Sequence, residues 1–428
     1  MWNVASEFIC GCFQQGGFAK KMLEDTVKEL DFRKDTELSF YGAAISSQHE
    51  LKQQKSNINA DSWLVSWNLL GIADGVSSVE SEGFDPSQLP SELLKNCVEL
   101  CNMRENNRMQ FDSASQKIFQ KNSIPFHSYE FLKHILCRSC SNCASYGSTT
   151  CLLCFLDGNQ LWISNVGDSQ MIVLRPSKKE PLSLPPIPYI ESPIDRRPIT
   201  GDPRRRLPSN VSVGGYDIIA RSEVQQHFFN CPHQLTIMPD INCSTDEILK
   251  RAANVAQSFR VDTCPGDLII IGTDGIFDNI FDEDIIDIVN QARKRYGRVF
   301  DDNPVLVADF IAKELLTYAL KAANSVPSGS RAKVTPFSEG ALIDVNRHIE
   351  GGKPDDITVM VAFVAYSDRL SSNMSNISPE IYSGTSYLGS SAKFNNDMSM
   401  YIINGERYSY SSISEKFSIL GSLTSRYK

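Results

Sequence analysis

The chain has 428 residues, 41% of them hydrophobic and 22% charged, and a formal net charge of −9 at pH 7. This composition is typical of a globular protein long enough to bury a sizeable core. The negative net charge argues against a protein that holds nucleic acid by bulk electrostatic attraction. No apolar run approaches the roughly 18 to 20 residues of a membrane-spanning helix. We therefore expect neither a nucleic-acid partner nor a transmembrane segment.

Residues 1–35 are polar, and their spacing predicts one helix, over Lys20–Leu30. The first residues, Met1–Lys21, lack a basic stretch followed by an apolar core, which a secretory signal requires. They also contain Glu7 and no arginine, a pattern unlike that of transit peptides. We expect an N-terminal extension here that serves neither purpose.

A β-hairpin is predicted next, with strands over Asp61–Trp67 and Leu69–Asp74 and a turn at Asn68. Asp61 and Asp74 stand thirteen residues apart across this hairpin, so both side chains are expected at the same edge of the sheet. Gly75 follows directly, and a glycine lets its backbone carbonyl approach a ligand closely.

Helical spacing then predicts helices over Pro90–Met103 and Glu130–Cys137. A second group of strands is predicted over Thr149–Leu156, Leu161–Val166 and Met171–Arg175. Asp168 lies in the break between the last two of these strands, which places it in a turn.

Residues 176–210 differ from the rest of the chain. They hold nine of its twenty prolines and two arginine clusters, at 196–197 and 204–206. Proline cannot donate a ladder hydrogen bond, so we predict an extended, exposed insertion. Two interpretations stay open: a passive loop, or a docking strip for an acidic or phosphorylated partner.

A third apolar run, Leu268–Gly272, leads to a second Asp-Gly pair at Asp274. A buried strand that stops on a carboxylate and a glycine delivers an oxygen ligand to the sheet edge. Asp355 supplies a third acidic strand edge, just before a predicted last strand over Asp356–Val364. Aspartates without His or Cys partners suit Mg²⁺ or Mn²⁺, and a pair of such ions can activate water against a phosphoryl group.

Two more helices are predicted over Asp282–Tyr296 and Val305–Ala323. Residues 366–428 contain 17 serines and no sustained period, so we predict a Ser-rich, disordered tail. The intervening residues, 36–365, are expected to form a single catalytic domain that carries the insertion.

The twelve cysteines allow two interpretations. Five have zinc-like spacing: Cys137, Cys140, Cys143, Cys151 and Cys154. The last two lie inside an apolar strand, where alternating side chains cannot easily ligate one ion. We favour reduced, mostly buried thiols over a zinc site.

Five segments resemble, in family order, the motifs of the metal-dependent (type 2C, PPM) protein serine/threonine phosphatases. They are Leu70-Gly-Ile-Ala-Asp-Gly-Val76, Tyr146-Gly-Ser-Thr-Thr150, Asn165-Val-Gly-Asp-Ser169, Gly272-Thr-Asp-Gly-Ile-Phe-Asp-Asn279 and Gly352-Lys-Pro-Asp-Asp-Ile-Thr-Val359. Residues 83–94, 225–235 and 335–338 look like the organellar subgroup of mitochondria and plastids. In that subgroup the segment with His227 and His233 is a structural signature rather than a metal site.

The resemblance implies an α+β fold, a four-layer α-β-β-α sandwich of two antiparallel sheets flanked by helices. It also implies two Mg²⁺ or Mn²⁺ ions and a weaker third. Asp74 would bridge the two main ions and, with Asp274, take part in catalysis, while Asp278 and Asp356 would orient ligands. The implied metal ligands are Asp61, Asp74, the Gly75 carbonyl, Asp168, Asp274 and Asp355.

The sequence departs from the family pattern at the N-terminal acidic pair. In the alignment that we favour, Asp61 survives and Ala60 replaces the first acid. An alternative alignment at Tyr41-Gly-Ala-Ala44 would lose both acids. Val76 also stands where many relatives have a histidine, a replacement that the organellar subgroup shares.

The resemblance therefore implies a monomeric enzyme that hydrolyses phosphoserine or phosphothreonine in protein substrates with a metal-activated water. The alternative is a pseudophosphatase that binds phosphoproteins or regulates a partner without turnover. We expect the protein in the cytoplasm because its N-terminus is unlike a transit peptide. Mitochondria, which the subgroup favours, are the alternative.

Overall fold

The structure is a computed structural model that describes residues 38–56, 58–109, 130–177, 215–239, 244–325, 334–366, 386–387, 400–403 and 406–409. The helix predicted over Lys20–Leu30 lies outside the described residues, as do all but the first two residues of the insertion at 176–210 and most of the tail. The domain boundaries given above therefore stay predictions.

The first sheet is antiparallel and consists of strands that are distant in sequence. Its strands are β1 (Leu38–Ser47), β7 (Gln170–Pro176), β8 (Tyr216–Arg221), β13 (Leu268–Gly272), β14 (Ile357–Tyr366) and β15 (Ser386–Tyr387). Their order across the sheet is β15-β1-β14-β13-β7-β8. The ends of β13 and β14 that carry the predicted carboxylates are therefore neighbours.

The second sheet is also antiparallel. Its strands are β2 (Asp61–Val65), β3 (Leu69–Asp74), β5 (Cys151–Asp157), β6 (Gln160–Val166), β12 (Gln257–Asp262), β16 (Met400–Ile403) and β17 (Glu406–Ser409). Their order is β12-β6-β5-β3-β2-β16-β17, so the predicted hairpin of β2 and β3 lies inside the sheet. Two short ribbons accompany the sheets: β4 (Gly147–Thr149) with β11 (Leu235–Ile237), and β9 (Gln226–Phe228) with β10 (Cys231–Pro232).

Helices cover the outer faces of both sheets. They are α1 (Glu50–Gln53), α2 (Gln88–Met109), α3 (Glu130–Ser141), α4 (Thr245–Val255), α5 (Asp274–Phe277), α6 (Asp282–Tyr296), α7 (Val299–Asp302), α8 (Pro304–Ala323) and α9 (Pro336–Val345), and a 3₁₀ helix spans Ser77–Glu82. None of these helices, within the residues that the structure describes, is long and apolar enough to cross a membrane.

Strand alternation sorts the apolar side chains into three core layers. In β13, Ile269 and Ile271 belong to the core between the two sheets, where they join Ile72 of the second sheet. Ile270 of the same strand faces the helix layer of α6 and α8. Helices α2, α3 and α4 pack on the outer face of the second sheet, against side chains such as Leu153. These layers confirm the predicted α+β, four-layer α-β-β-α sandwich.

The predicted elements agree with the observed ones in type and order, and several of their ends differ. Helix α3 ends at Ser141, four residues after the predicted Cys137, and strand β2 ends at Val65, two residues before the predicted Trp67. Helix α2 begins two residues before the predicted Pro90 and ends six after the predicted Met103, because polar residues without an apolar period continue it. Strand β14 begins at Ile357, one residue after the predicted start, so Asp356 precedes the strand.

Three short strands of the tail lie within the described residues, and the Ser-rich, disordered tail otherwise stays a prediction. Residues 386–387, 400–403 and 406–409 pair with the sheets, and Ile402 lies opposite Val65 of β2. The serine count of the whole tail concealed the apolar run Tyr401–Ile403, whose β-branched residues favour a strand.

Candidate metal centre

The β2–β3 hairpin places two predicted ligands side by side. Asp61 and Asp74 are direct partners in its register, as the spacing predicted. Asp61 is almost fully buried, whereas Asp74 is half-buried at the strand end. The alternative alignment at Tyr41–Ala44 falls in the middle of β1, where these residues pair with β14 and bring no carboxylate.

Asp61 also connects the second sheet to the first. Its Oδ2 accepts a hydrogen bond of 2.6 Å from the hydroxyl of Thr358 in β14 and one of 3.3 Å from the hydroxyl of Thr273, just after β13. Thr273 and Thr358 are joined through their backbones as well, by a 3.1 Å bond from the Thr273 N–H to the Thr358 carbonyl. The carboxylate of Asp61 is thus oriented by the edge that carries Asp274 and Asp355.

Two threonines hold the backbone of Asp74. Its N–H donates to the Thr150 hydroxyl at 3.1 Å, and its carbonyl accepts from the Thr149 hydroxyl at 3.0 Å and from the Thr150 N–H at 2.9 Å. These contacts explain why a Ser-Thr-Thr motif accompanies the first Asp-Gly pair, although sequence reasoning had given the threonines no role.

Gly75 is required by close packing. A Cβ at this position would lie 2.3 Å from the Pro86 carbonyl oxygen and 2.7 Å from that of Ala60. The Gly75 N–H donates to the same Ala60 carbonyl at 3.2 Å. Ala60, which replaces the first acid of the family pattern, is fully buried and contributes its backbone to this contact.

The other predicted carboxylates reach the same edge from three further elements. Asp274 is the first residue of α5, two residues after the end of β13, and Asp355 lies two residues before β14. Asp168 lies between β6 and β7, where its Oδ2 accepts a hydrogen bond of 2.8 Å from the Gln226 amide. Burial raises the pKa of Asp74, and the charges of Asp61, Asp274, Asp355 and Asp168 raise it further. The five predicted carboxylates therefore form one electrostatic cluster.

Burial dominates the acid–base behaviour of this cluster. It raises the pKa of Asp61 to about 7, although the Thr358 hydrogen bond acts in the opposite direction. Burial likewise raises the pKa of Asp274 well above its usual value. Asp355 differs: burial would raise its pKa, but the ammonium groups of Lys353 and Lys52 lower it overall. Uncompensated carboxylates at this edge strongly favour a nearby cation.

Two lysines that sequence reasoning missed supply positive charge to the cluster. The Nζ of Lys353 contacts the carboxylate of Asp274 and lies 3.1 Å from Asp355 Oδ2 and 3.4 Å from Asp278 Oδ2. The Nζ of Lys52, on α1, contacts Asp355 and lies 3.4 Å from Asp356 Oδ2. The only sequence signal for Lys353 was its place inside the Gly-Lys-Pro-Asp-Asp motif.

The donor set fits hard divalent cations. Buried oxygens of two carboxylates, Asp61 Oδ1 and Asp274 Oδ1, have no hydrogen-bond partner among the described residues. Buried charged oxygens are costly without a partner, and oxygen-only donors suit Mg²⁺ or Mn²⁺. The side chains are not arranged as a complete ligand shell: no group of three or more His, Cys, Asp or Glu residues in the described ranges has metal-binding geometry. Carboxylates of the cluster instead contact the two lysines.

The five cysteines with zinc-like spacing, all of them described, likewise do not form a group with metal-binding geometry. All five are free thiols, buried except for the half-buried Cys143. Burial raises the pKa of Cys140 to about 12. His227 and His233 pack ring against ring at 4.2 Å on the β9–β10 hairpin, whose Gln226 contacts Asp168. These histidines therefore belong to a structural contact beside the carboxylate cluster.

Comparison with known proteins adds independent information on identity. Residues 40–185 match the family Protein phosphatase 2C. Among curated relatives, the protein phosphatase PTC7 homologue of Homo sapiens is 27% identical over 305 residues, 70% of this chain and 77% of the relative. The homologue named fig from Drosophila virilis is 27% identical over 315 residues, 72% of this chain and 79% of the relative. The chain is thus similar to the protein phosphatase 2C family over residues 40–185 and to curated protein phosphatases over about seven-tenths of its length.

These similarities support a metal-dependent protein serine/threonine phosphatase of type 2C. Its fold is also similar to that of the photosystem II phosphatase PBCP, with 21% identity, a TM-score of 0.47 and coverage of 77% of this chain and 99% of that one. In this protein the carboxylates predicted from the two Asp-Gly pairs and from the last strand all lie at one end of the sandwich.

Proposed function

We propose that this type 2C phosphatase hydrolyses phosphoserine and phosphothreonine in proteins with two Mg²⁺ or Mn²⁺ ions at the carboxylate cluster. The ions would be held by Asp61, Asp74, the Gly75 carbonyl, Asp274 and Asp355, with Asp168 at a weaker third ion. One observation carries the proposal: strand ends from both sheets bring buried carboxylate oxygens without hydrogen-bond partners to one edge. When bound, the ions supply an activated water and neutralise the charge of the phosphoryl group.

The protein's own contribution is to fix the oxygen donors before the substrate arrives. Thr358 and Thr273 restrict the Asp61 carboxylate through Oδ2, which leaves its Oδ1 available. Thr149 and Thr150 fix the backbone of Asp74, whose side chain is half-buried. Such supporting hydrogen bonds keep metal ligands in productive orientations.

The two residues that we place closest to the reaction are Asp74 and Asp274. Their carboxylates come from opposite sheets. Burial raises the pKa of Asp74, and the charge of Asp274 raises it further. Asp278 and Asp356 contact other residues of the site. Asp278 Oδ2 lies 3.4 Å from the Lys353 Nζ, and Asp356 Oδ1 accepts a hydrogen bond of 3.2 Å from the His49 N–H. We assign them an orienting role.

The test uses the full-length protein with a phosphothreonine peptide and with a small aryl phosphate. Hydrolysis should require millimolar Mn²⁺ or Mg²⁺, as weak oxygen-ligand sites do, and should stop on chelation. Asp274→Asn should abolish turnover and Mn²⁺ binding while circular dichroism stays unchanged. Persistent activity of this variant with Mn²⁺ would refute the assignment of Asp274. A folded, Mn²⁺-loaded wild-type protein without turnover would instead favour a pseudophosphatase.

We place this activity in the cytoplasm, with mitochondria as the alternative. Imaging of the tagged chain with and without residues 1–35 separates the two. Mitochondrial signal that depends on residues 1–35 would overturn the cytoplasmic placement.

A further inference from the structure

We infer that the Lys353 ammonium group competes with the divalent cations for the carboxylate cluster, so that metal ions bind by displacing it. The inference rests on the proposed function, because the carboxylates concerned are the proposed metal ligands. It assigns a role to a residue of the site and explains why the carboxylates, although close together, lack metal-binding geometry in the described residues.

The Lys353 ammonium group contacts the same carboxylates that a bound metal ion would contact. Its Nζ contacts Asp274 Oδ2 and lies 3.1 Å from Asp355 Oδ2. Both residues are proposed metal ligands. A third carboxylate, Asp278, lies 3.4 Å away. One ammonium group therefore occupies the space between oxygens that an incoming Mg²⁺ or Mn²⁺ would need.

The backbone of Lys353 is held so that its side chain cannot easily leave. Asn279 receives a 2.9 Å hydrogen bond from the Lys353 N–H and donates one of 2.9 Å to the Lys353 carbonyl. The preceding Gly352 lies so close that a Cβ there would approach Asn279 Oδ1 to 2.1 Å. Lys353 is thus a tethered cation, present at the carboxylates at a high and constant effective concentration.

The charge balance explains why the cluster needs such a cation. The side chain of Lys353 is only 11% exposed, and those of Asp274 and Asp278 are similarly buried. The Lys353 ammonium group faces the carboxylates of Asp274, Asp355 and Asp278, which it neutralises in part. Removing one partner of a buried ionic cluster leaves the remaining charges uncompensated and is strongly destabilising.

Lys52 provides an internal comparison. Its ammonium group pairs with Asp355 and Asp356 but, within the described residues, not with Asp274. The side chain of Lys52 is 29% exposed. A partly hydrated lysine can move into solvent at little cost. Lys353 must instead leave three carboxylates, of which Asp274 and Asp278 are buried. We therefore expect Lys353 to weaken metal binding more than Lys52 does.

The decisive experiment measures Mn²⁺ binding by titration calorimetry, without any activity assay. Lys353→Met keeps the apolar stem and removes the charge, so we expect Mn²⁺ to bind at least tenfold more tightly. Lys353→Arg keeps the charge and should bind like wild type. The matched control is Lys313→Met, on α8, where the lysine is exposed and pairs with Asp309 at 2.9 Å. That variant should leave the affinity unchanged.

Thermal unfolding gives a second readout that also works if metal-free Lys353→Met is only marginally stable. The melting temperature without metal should be lower than in wild type. A given Mn²⁺ concentration should raise it by a larger amount, since the stabilisation by a ligand increases with its affinity. Unchanged or weaker Mn²⁺ binding by Lys353→Met would overturn the inference. Asp274→Asn separates the two proposals. Normal Mn²⁺ binding by Asp274→Asn would refute the metal site itself. If Asp274→Asn loses Mn²⁺ binding while Lys353→Met binds Mn²⁺ as wild type does, only the competition is refuted.

Discussion

The hydroxyl of Thr358 donates a 2.6 Å hydrogen bond to Oδ2 of Asp61, a residue 297 positions earlier in the chain. Both groups are buried, and they belong to different sheets of the sandwich. Asp61 Oδ1 has no hydrogen-bond partner in the described structure. Thr358 therefore fixes one oxygen of the carboxylate and turns the other toward the cluster, which links the packing of the sheets to the geometry of the site.

We predict that Thr358→Val lowers Mn²⁺ affinity and phosphatase activity by about tenfold or more, since supporting partners of metal ligands typically contribute 10–100-fold. The substitution keeps the volume and removes only the hydroxyl. Titration calorimetry and peptide hydrolysis measure the two effects. The control is Thr263→Val, because this buried threonine bonds the Asn159 carbonyl at 3.0 Å, away from the carboxylates. Equal losses in both variants would indicate a general effect on stability.

Asp61→Ala tests whether the favoured alignment of the acidic pair is correct. Asp61 is the register partner of Asp74, so its loss should reduce activity by at least an order of magnitude and raise the Mn²⁺ concentration that half-saturates the enzyme. Asp262→Ala, at the exposed end of β12, should behave like wild type. Full activity of Asp61→Ala at low Mn²⁺ would mean that Asp61 is no metal ligand.

Much of this site was predictable because its ligands follow regular elements. An apolar strand has a recognisable pattern, and the aspartate after it must lie at a sheet edge. Thirteen residues across one hairpin were enough to place Asp61 opposite Asp74. The layer order was not available from periodicity alone and came from the family resemblance.

The lysines and threonines could not be predicted in the same way. Lys52 contacts Asp355, which is 303 residues away, and a flexible charged side chain carries no pattern that identifies its partner. Thr149 and Thr150 look like ordinary strand residues, and their contacts with Asp74 arise only from the pairing of Gly75 with Thr149. Tertiary placement determines these roles.

Removal of residues 178–210 tests the two interpretations of the Pro/Arg-rich insertion. We predict unchanged turnover of a small aryl phosphate, because strands β7 and β8 already pair without any contribution from these residues. Slower hydrolysis confined to acidic or multiply phosphorylated proteins would support a docking strip, and no change with any substrate would support a passive loop. A large loss with the aryl phosphate would contradict both interpretations.

Asn279 holds the backbone of Lys353 beside the carboxylate cluster without contributing a carboxylate itself. It is buried, its amide donates to the carbonyls of Gly275 and Lys353 at 2.9 Å each, and its Oδ1 accepts from the Lys353 N–H. Each buried polar group that loses its partner costs about 1–3 kcal/mol, so Asn279→Ala should lower the free energy of unfolding by several times the loss from a surface substitution. Because the tether on Lys353 is released, Mn²⁺ should also bind the folded fraction more tightly than it binds wild type. Urea unfolding and calorimetry measure the two effects, and Asn254→Ala, at the end of α4, is the control for an asparagine far from the carboxylates. A stable Asn279→Ala protein with wild-type Mn²⁺ affinity would show that the backbone of Lys353 is held by other contacts.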